Sequence, residues 1–168
     1  MKRQKFLREL RGLVHKYGSE NIVYFDESGF EPQASRTHGW AVRGKKIYGD
    51  VVGKRQKRTN LLMAQRGKEW LAPMLFKGSC TAATVETWMK NCLLKELDKP
   101  SIIIMDNAPV HNKKTMRETL EKYGHAMLPL PPYSPDFNPI EQTFGIIKRR
   151  RQFLPIETPL DDLFMMDS

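Results

Sequence analysis

Three carboxylates stand where a chain would put chemistry. Asp26 follows the apolar run IVYF at 22–25, Asp106 follows the apolar run IIIM at 102–105, and Glu141 sits in PPYSPDFNPIEQTFG. An aspartate at the exit of a buried strand has an ordinary use, because its side chain bonds to turn backbone. Asn138-x-x-Glu141 likewise reads as a capping box, with Asn138 as N-cap, Pro139 at the first helical position and Glu141 at the third. Two such aspartates on separate central strands, with a glutamate aimed by a proline-stiffened loop, suit divalent-metal chemistry. Mg²⁺ and Mn²⁺ prefer oxygen ligands and keep several waters, so few protein ligands suffice. Two ions roughly 4 Å apart activate an attacking water or hydroxyl and stabilise the leaving oxygen. Carboxylates crowded without metal repel one another and shift their proton affinity, and the ions relieve that repulsion.

The elements that must hold these acids are legible as periodicities. Phe6, Leu7, Leu10, Leu13, Val14 and Tyr17 recur at helical spacing over residues 3–17, and Gly18 and Ser19 end that helix. IVYF reads as a buried strand stopping at Asp26. Residues 39–65 read as strands with turns (GWAVRG, KIYGDVV and NLLMAQ), and MLFKGSC as one more short strand. From Thr84 to Leu97, Val85, Trp88, Met89, Cys92, Leu93 and Leu97 share one helical face. SIIIM is a strand, a helix from about Asn112 to Tyr123 closes at Gly124, and AMLPL is a strand leading into the proline loop. A last helix starts near Pro139 and turns Ile140, Phe144 and Ile147 inward. This order predicts an α/β layered domain with a mixed sheet. In such sheets ligands gather at the carboxyl ends of the strands.

The bulk numbers point to a polyanionic partner. The 168 residues suit one domain, and 40% hydrophobic with 28% charged content argues against wholesale disorder. The formal charge of +9 points most simply to nucleic acid. No apolar stretch approaches the ~18 residues of a membrane span. MKRQKFLRELRG lacks the apolar core of a signal peptide, which points to a cytoplasmic protein. Cys80 and Cys92 have no CxxC spacing and read as reduced, buried side chains.

The positive charge is clustered. Nine Lys or Arg lie between Arg43 and Lys68, and Lys148-Arg149-Arg150-Arg151 forms a second run. Each run alone reads equally as a solvated face. Beside three acids, Trp40, Arg43, Lys45 and Lys46 of GWAVRGKK and Lys148, Arg149 and Arg150 become candidate DNA contacts, by stacking and phosphate pairing. Asn107 reads as a DNA contact, an orienter of Asp106 or a turn residue. His111 reads as a phosphate contact or a structural residue. Strand alternation points Glu27 away from Asp26, which favours Asp26 as the ligand. Asp136 reads as a turn-former.

YFDESGF, GWAVRGKK, IIIMDNAPVHNKK and LPPYSPDFNPIEQTFGIIKRR together resemble the catalytic domain of DDE transposases, in the bacterial insertion-sequence branch of the mariner superfamily. The thirty-four residues between Asp106 and Glu141 are typical of that branch, and the resemblance covers roughly residues 20–152. It implies an RNase H-like fold, with Asp26, Asp106 and Glu141 as a metal-binding triad for two Mg²⁺ or Mn²⁺ ions. It also implies cleavage at transposon ends, transfer of the 3′-hydroxyl into target DNA, commonly at TA, and a homodimer on paired ends. Phe144 stands where many relatives have Trp.

The expected organisation is a linker helix at 1–19, the RNase H-like DDE domain at 20–152 and an acidic tail at 153–168. Relatives carry an N-terminal helix-turn-helix region that recognises transposon ends, and the 25 residues before Asp26 are too few for one. The expectation is therefore a catalytic half, with the recognition region supplied by an upstream product of a split gene. Two other readings use the same acids: an inactive remnant that binds DNA or a partner, and an RNase H-like or resolvase-like nuclease.

Overall fold

The computed structural model describes residues 1–31, 58–107, 112–155 and 158–165. Its centre is a five-stranded sheet of β1 (Ile22–Phe30), β2 (Thr59–Arg66), β3 (Glu69–Lys77), β4 (Ile102–Met105) and β5 (Ala126–Pro129). The strand order is β3-β2-β1-β4-β5. β1, β4 and β5 run parallel, while β2 is antiparallel to both of its neighbours. The helices are α1 (Lys2–Tyr17), α2 (Ala82–Trp88), α3 (Leu94–Glu96), α4 (Lys113–Lys122), α5 (Ile140–Phe153) and α6 (Asp162–Met165). Helices cover both faces of the sheet, so the layered mixed sheet expected from the sequence is present.

Strand alternation sorts the core into two layers. Val23, Phe25, Ile103 and Met105 face α2, α4 and the π-helical turn Met89–Leu93, packing with Val85, Trp88, Leu93, Met116 and Leu120. Ile102 and Ile104 face the other way, onto Phe6 of α1 with Leu128 and Leu130. On that same face Ile140, Phe144 and Ile147 of α5 pack on Phe30, Leu61 and Met63. Leu163 of α6 joins this cluster, with Leu160 partly buried beside it. Burial of each such side chain contributes about 1.5–3 kcal/mol.

Four expectations change. β1 does not stop at Asp26 but continues to Phe30, because Asp26 pairs with Met63 and Phe30 with Thr59 on β2. β3 begins at Glu69, well before MLFKGSC. It holds Pro73 at an irregularity where the register shifts between Leu62 and Ala64, and Ala72 there has φ 51°. As a sheet edge it tolerates the missing donor. The Trp88 indole N–H donates to the Ala72 carbonyl at 2.7 Å, which satisfies the bulged backbone. The helix over 84–97 instead starts at Ala82, capped reciprocally by Thr81 and Thr84, and passes through the π turn. GWAVRG and KIYGDVV lie outside the described residues. Cys80 and Cys92 are free and only partly buried.

Candidate active site

The parallel register sets two of the acids. β1 and β4 pair Tyr24 with Ile104, and two residues beyond that pair come Asp26 and Asp106. Both carboxylates therefore leave the sheet on the face that α1 and α5 cover. Asp106 is the first residue after β4, whereas Asp26 lies within β1, at the point where pairing with β4 has ended and pairing with β2 goes on. Both are partly buried. The Asp26 Oδ1 accepts the Glu27 backbone N–H at 2.8 Å. Burial, then the Asp106 charge, push the Asp26 carboxyl up to about 7 against that stabilising bond, and Glu141 adds to the rise. Three carboxyl groups thus feel one another at one end of the parallel strands.

Glu27 points to the opposite face, towards Cys80. Burial, a hydrogen bond to Glu27 and the charges of Glu27, Asp106 and Asp26 push the Cys80 thiol up to about 12. A thiol held protonated in this way is a poor metal ligand at neutral pH.

Glu141 arrives on the first turn of α5, exposed and beside the fully buried Ile140. The reciprocal capping box does not form. Asn138 is buried, its Oδ1 accepts the Ile140 N–H at 3.4 Å, and Pro139 takes the N-cap position. Glu141 and Asp106 line one open cavity of about 380 Å³ together with Asn107, Asn138 and the loop from Leu130 to Pro135. Asp136 is not at the acids: it pairs with Arg3 of α1 at 2.6 Å.

The oxygen-only donor set and the mutual repulsion felt by Asp26 fit a hard divalent cation. Among the described residues, however, no three His, Cys, Asp or Glu side chains are gathered closely enough to hold an ion. The acids are coupled by charge without being arranged for coordination.

The basic candidates divide. Trp40, Arg43, Lys45, Lys46 and His111 lie outside the described residues. Asn107 is exposed at the cavity. The Lys148 ammonium lies 5.6 Å from the Phe30 ring centroid and the Arg150 guanidinium 5.8 Å from that of Trp70. Arg149 is exposed, its Nε donating to the Gly145 carbonyl at 3.4 Å. Sequence reading passed over Tyr133, which is 99% exposed on the cavity rim with φ 55°. An aromatic residue set between Pro132 and Pro135 is the sequence signal that would have singled it out. Among the described residues no helix is long and apolar enough to cross a membrane.

A family model described as DDE superfamily endonuclease matches residues 21–157. Comparison with curated proteins gave no match. Among solved structures, the Mos1 transposase catalytic domain with raltegravir and Mg superposes with a TM-score of 0.66 at 19% identity, covering 98% of this chain and 78% of that one. The corresponding structure with Mn gives 0.67 at 19% identity, covering 99% and 78%. The Mos1 strand transfer complex gives 0.61 at 24% identity, covering 86% of this chain and 46% of that one, so the chain spans about half of the length of that relative. At these identities the likeness is one of fold, and the fold is RNase H-like.

Proposed function

The chain belongs to the DDE superfamily endonucleases, and from that premise we propose that it is the catalytic domain of a mariner-like transposase of the bacterial insertion-sequence branch. Its reaction is metal-dependent cleavage of DNA at transposon ends and strand transfer into target DNA. The observation that carries this reading is the register placing Asp26 and Asp106 side by side, with α5 bringing Glu141 to the same face.

In this reading Asp26, Asp106 and Glu141 hold two Mg²⁺ or Mn²⁺ ions. When bound, such ions activate the attacking oxygen and stabilise the leaving one. The protein's own part is positional. The sheet fixes two carboxylates in register, burial keeps them poorly solvated, and their mutual repulsion raises affinity for a cation that relieves it. Tyr133 offers an exposed ring at the cavity rim for a base or sugar to stack on. Lys148 and Arg149 extend positive charge along α5 towards the DNA backbone, and GWAVRGKK supplies further contacts. Two catalytic domains act on paired ends in the bacterial cytoplasm.

A supercoiled-plasmid nicking assay tests the reading. Nicking should require Mg²⁺ or Mn²⁺ and vanish in Asp106→Asn. Nicking that survives this change, or that needs no divalent cation, sinks it.

A further inference from the structure

We propose that Arg3, together with Phe6, is a positioning residue for Glu141, acting through the proline loop that joins β5 to α5. The proposal rests on the metal-centre reading for what Glu141 does, but the clamp itself is a separate matter of geometry.

The loop from Leu130 to Pro139 contains four prolines, and each removes a backbone donor. Its Leu130 N–H bonds to the Met105 carbonyl at 2.7 Å, while the Phe137 and Asn138 N–H groups turn back onto Ser134 and Pro135. Backbone bonds therefore tie the start of the loop to the sheet and leave its second half to side chains. α1 supplies them. Arg3 meets Asp136 with both terminal nitrogens, Nη1 donating to Oδ1 at 3.2 Å and Nη2 to Oδ2 at 2.6 Å. The same Nη1 reaches the Ser134 Oγ at 3.5 Å, and that hydroxyl donates to the Pro132 carbonyl at 3.2 Å. The Arg3 guanidinium lies 4.2 Å from the Phe137 ring centroid. The Phe6 ring stacks on Phe137 at 5.4 Å and 15°.

Phe137 is thus gripped by a ring and a planar cation from one helix. A fork-to-fork pair fixes the orientation of the adjacent residue. The Glu141 N–H bonds to the Asn138 carbonyl, so the gripped segment runs directly into the turn bearing the carboxylate. The partners lie far apart in sequence, Asp136 coming 133 positions after Arg3. The pair is also half exposed, at 49% and 57%, so it adds little to global stability and its loss leaves the fold intact. Its effect is conformational: without it the loop rocks about its prolines, and Glu141 spends less time facing Asp106.

Amide hydrogen exchange and metal dependence test this on the full chain. Arg3→Ala should speed exchange of the Phe137, Asn138, Glu141 and Gln142 amides about tenfold, with β1 and β4 amides unchanged. It should also raise several-fold the Mg²⁺ concentration for half-maximal nicking, leaving the KM for DNA unaltered. The exchanged pair Arg3→Asp with Asp136→Arg should restore both readouts only in part, because it returns the ion pair but not the cation over Phe137 or the contact to Ser134. Unchanged exchange in Arg3→Ala overturns the clamp whether or not the wild type nicks DNA. Faster exchange with an unchanged Mg²⁺ requirement overturns the positioning role. A wild-type chain that neither nicks DNA nor binds Mn²⁺ in a titration refutes the metal-centre reading, and with it the role of Glu141, while the exchange data still decide the clamp.

Discussion

The Asp26–Asp106 pair and Glu141 belong to one face of one sheet, yet they are held there by different means. The aspartates are placed by backbone: a parallel ladder of buried residues aligns them. Glu141 is placed by packing. Ile140, Phe144 and Ile147 seat α5 on β1 and β2, and the loop leading into it is gripped by α1. A ladder of hydrogen bonds has one register and little freedom within it. A helix end resting on a proline loop has more. The rigid pair therefore sets where charge accumulates, and the more adjustable third acid sets whether it becomes a complete site.

The largest test separates the two regions by chemistry. Asp106→Asn and Glu141→Gln should each lower the nicking rate by on the order of 10³-fold or more, since groups acting as a unit fail together. Stability should split them. Asp26→Asn relieves repulsion at the partly buried pair, so the metal-free protein should melt a few degrees higher, about 2–4 °C for each kcal/mol relieved. Glu141→Gln, on an exposed side chain, should leave the melting temperature nearly unmoved. Equal shifts in both would erase the distinction between the regions.

Ile140→Ala probes the packed region directly. Ile140 is fully buried beside Glu141, and its truncation should cost about 2–5 kcal/mol in urea unfolding. Nicking should fall further than Ile147→Ala lowers it at matched loss of stability, because Ile147 anchors α5 away from the acid. A common dependence on stability for the two variants would show that Glu141 needs no local support.

A smaller effect comes from pH. The Asp26 carboxyl is raised from 3.8 to about 7 in the folded chain, so the folded state holds a proton that the unfolded state has released. That contribution is fully present below about pH 4 and is lost as pH rises through 7. Metal-free wild type should thus lose stability relative to Asp26→Asn between these values, while burial of His125, which lowers its proton affinity, acts in the opposite sense in both proteins. Saturating Mg²⁺ should reverse the difference, because the ion binds the ionised form. Parallel metal-free profiles for the two proteins would mean that the pair is better solvated than its burial implies.

What could be read from the sequence follows the same division. IVYF and SIIIM announced buried strands because long apolar runs have few other uses, and each led to its aspartate. The continuation of β1 through Asp26 could not be read, since it depends on pairing with β2, a partner more than thirty residues away. The register that aligns Asp26 with Asp106 is likewise a property of two strands together. At Glu141 local patterning misled in detail, because Asn138 is drawn into the core and gives up the reciprocal cap. Asp136 read as a turn residue and does lie in the single helical turn Pro135–Phe137; its partner Arg3 could not be read, because it lies at the other end of the chain. Periodicity reports what a segment buries and is silent on which distant side chain grips it.

The same contrast between groups built into the fold and groups left available gives the smallest prediction, within the basic run of α5. As sequence, Lys148-Arg149-Arg150 is one patch. In the structure Arg150 lies against Trp70 and is partly buried, whereas Arg149 is exposed with its head near a helix carbonyl. A phosphate contact that displaces a condensed counterion contributes about 0.9 to the slope of log affinity against log salt on duplex DNA. Arg149→Ala should therefore reduce that slope by roughly one while leaving the melting temperature unchanged. Arg150→Ala should lower stability through lost packing on Trp70 and change the slope less. Fluorescence anisotropy on a labelled duplex at several salt concentrations reads both slopes. Equal slopes with equal stabilities would restore the single undivided patch that the sequence suggests.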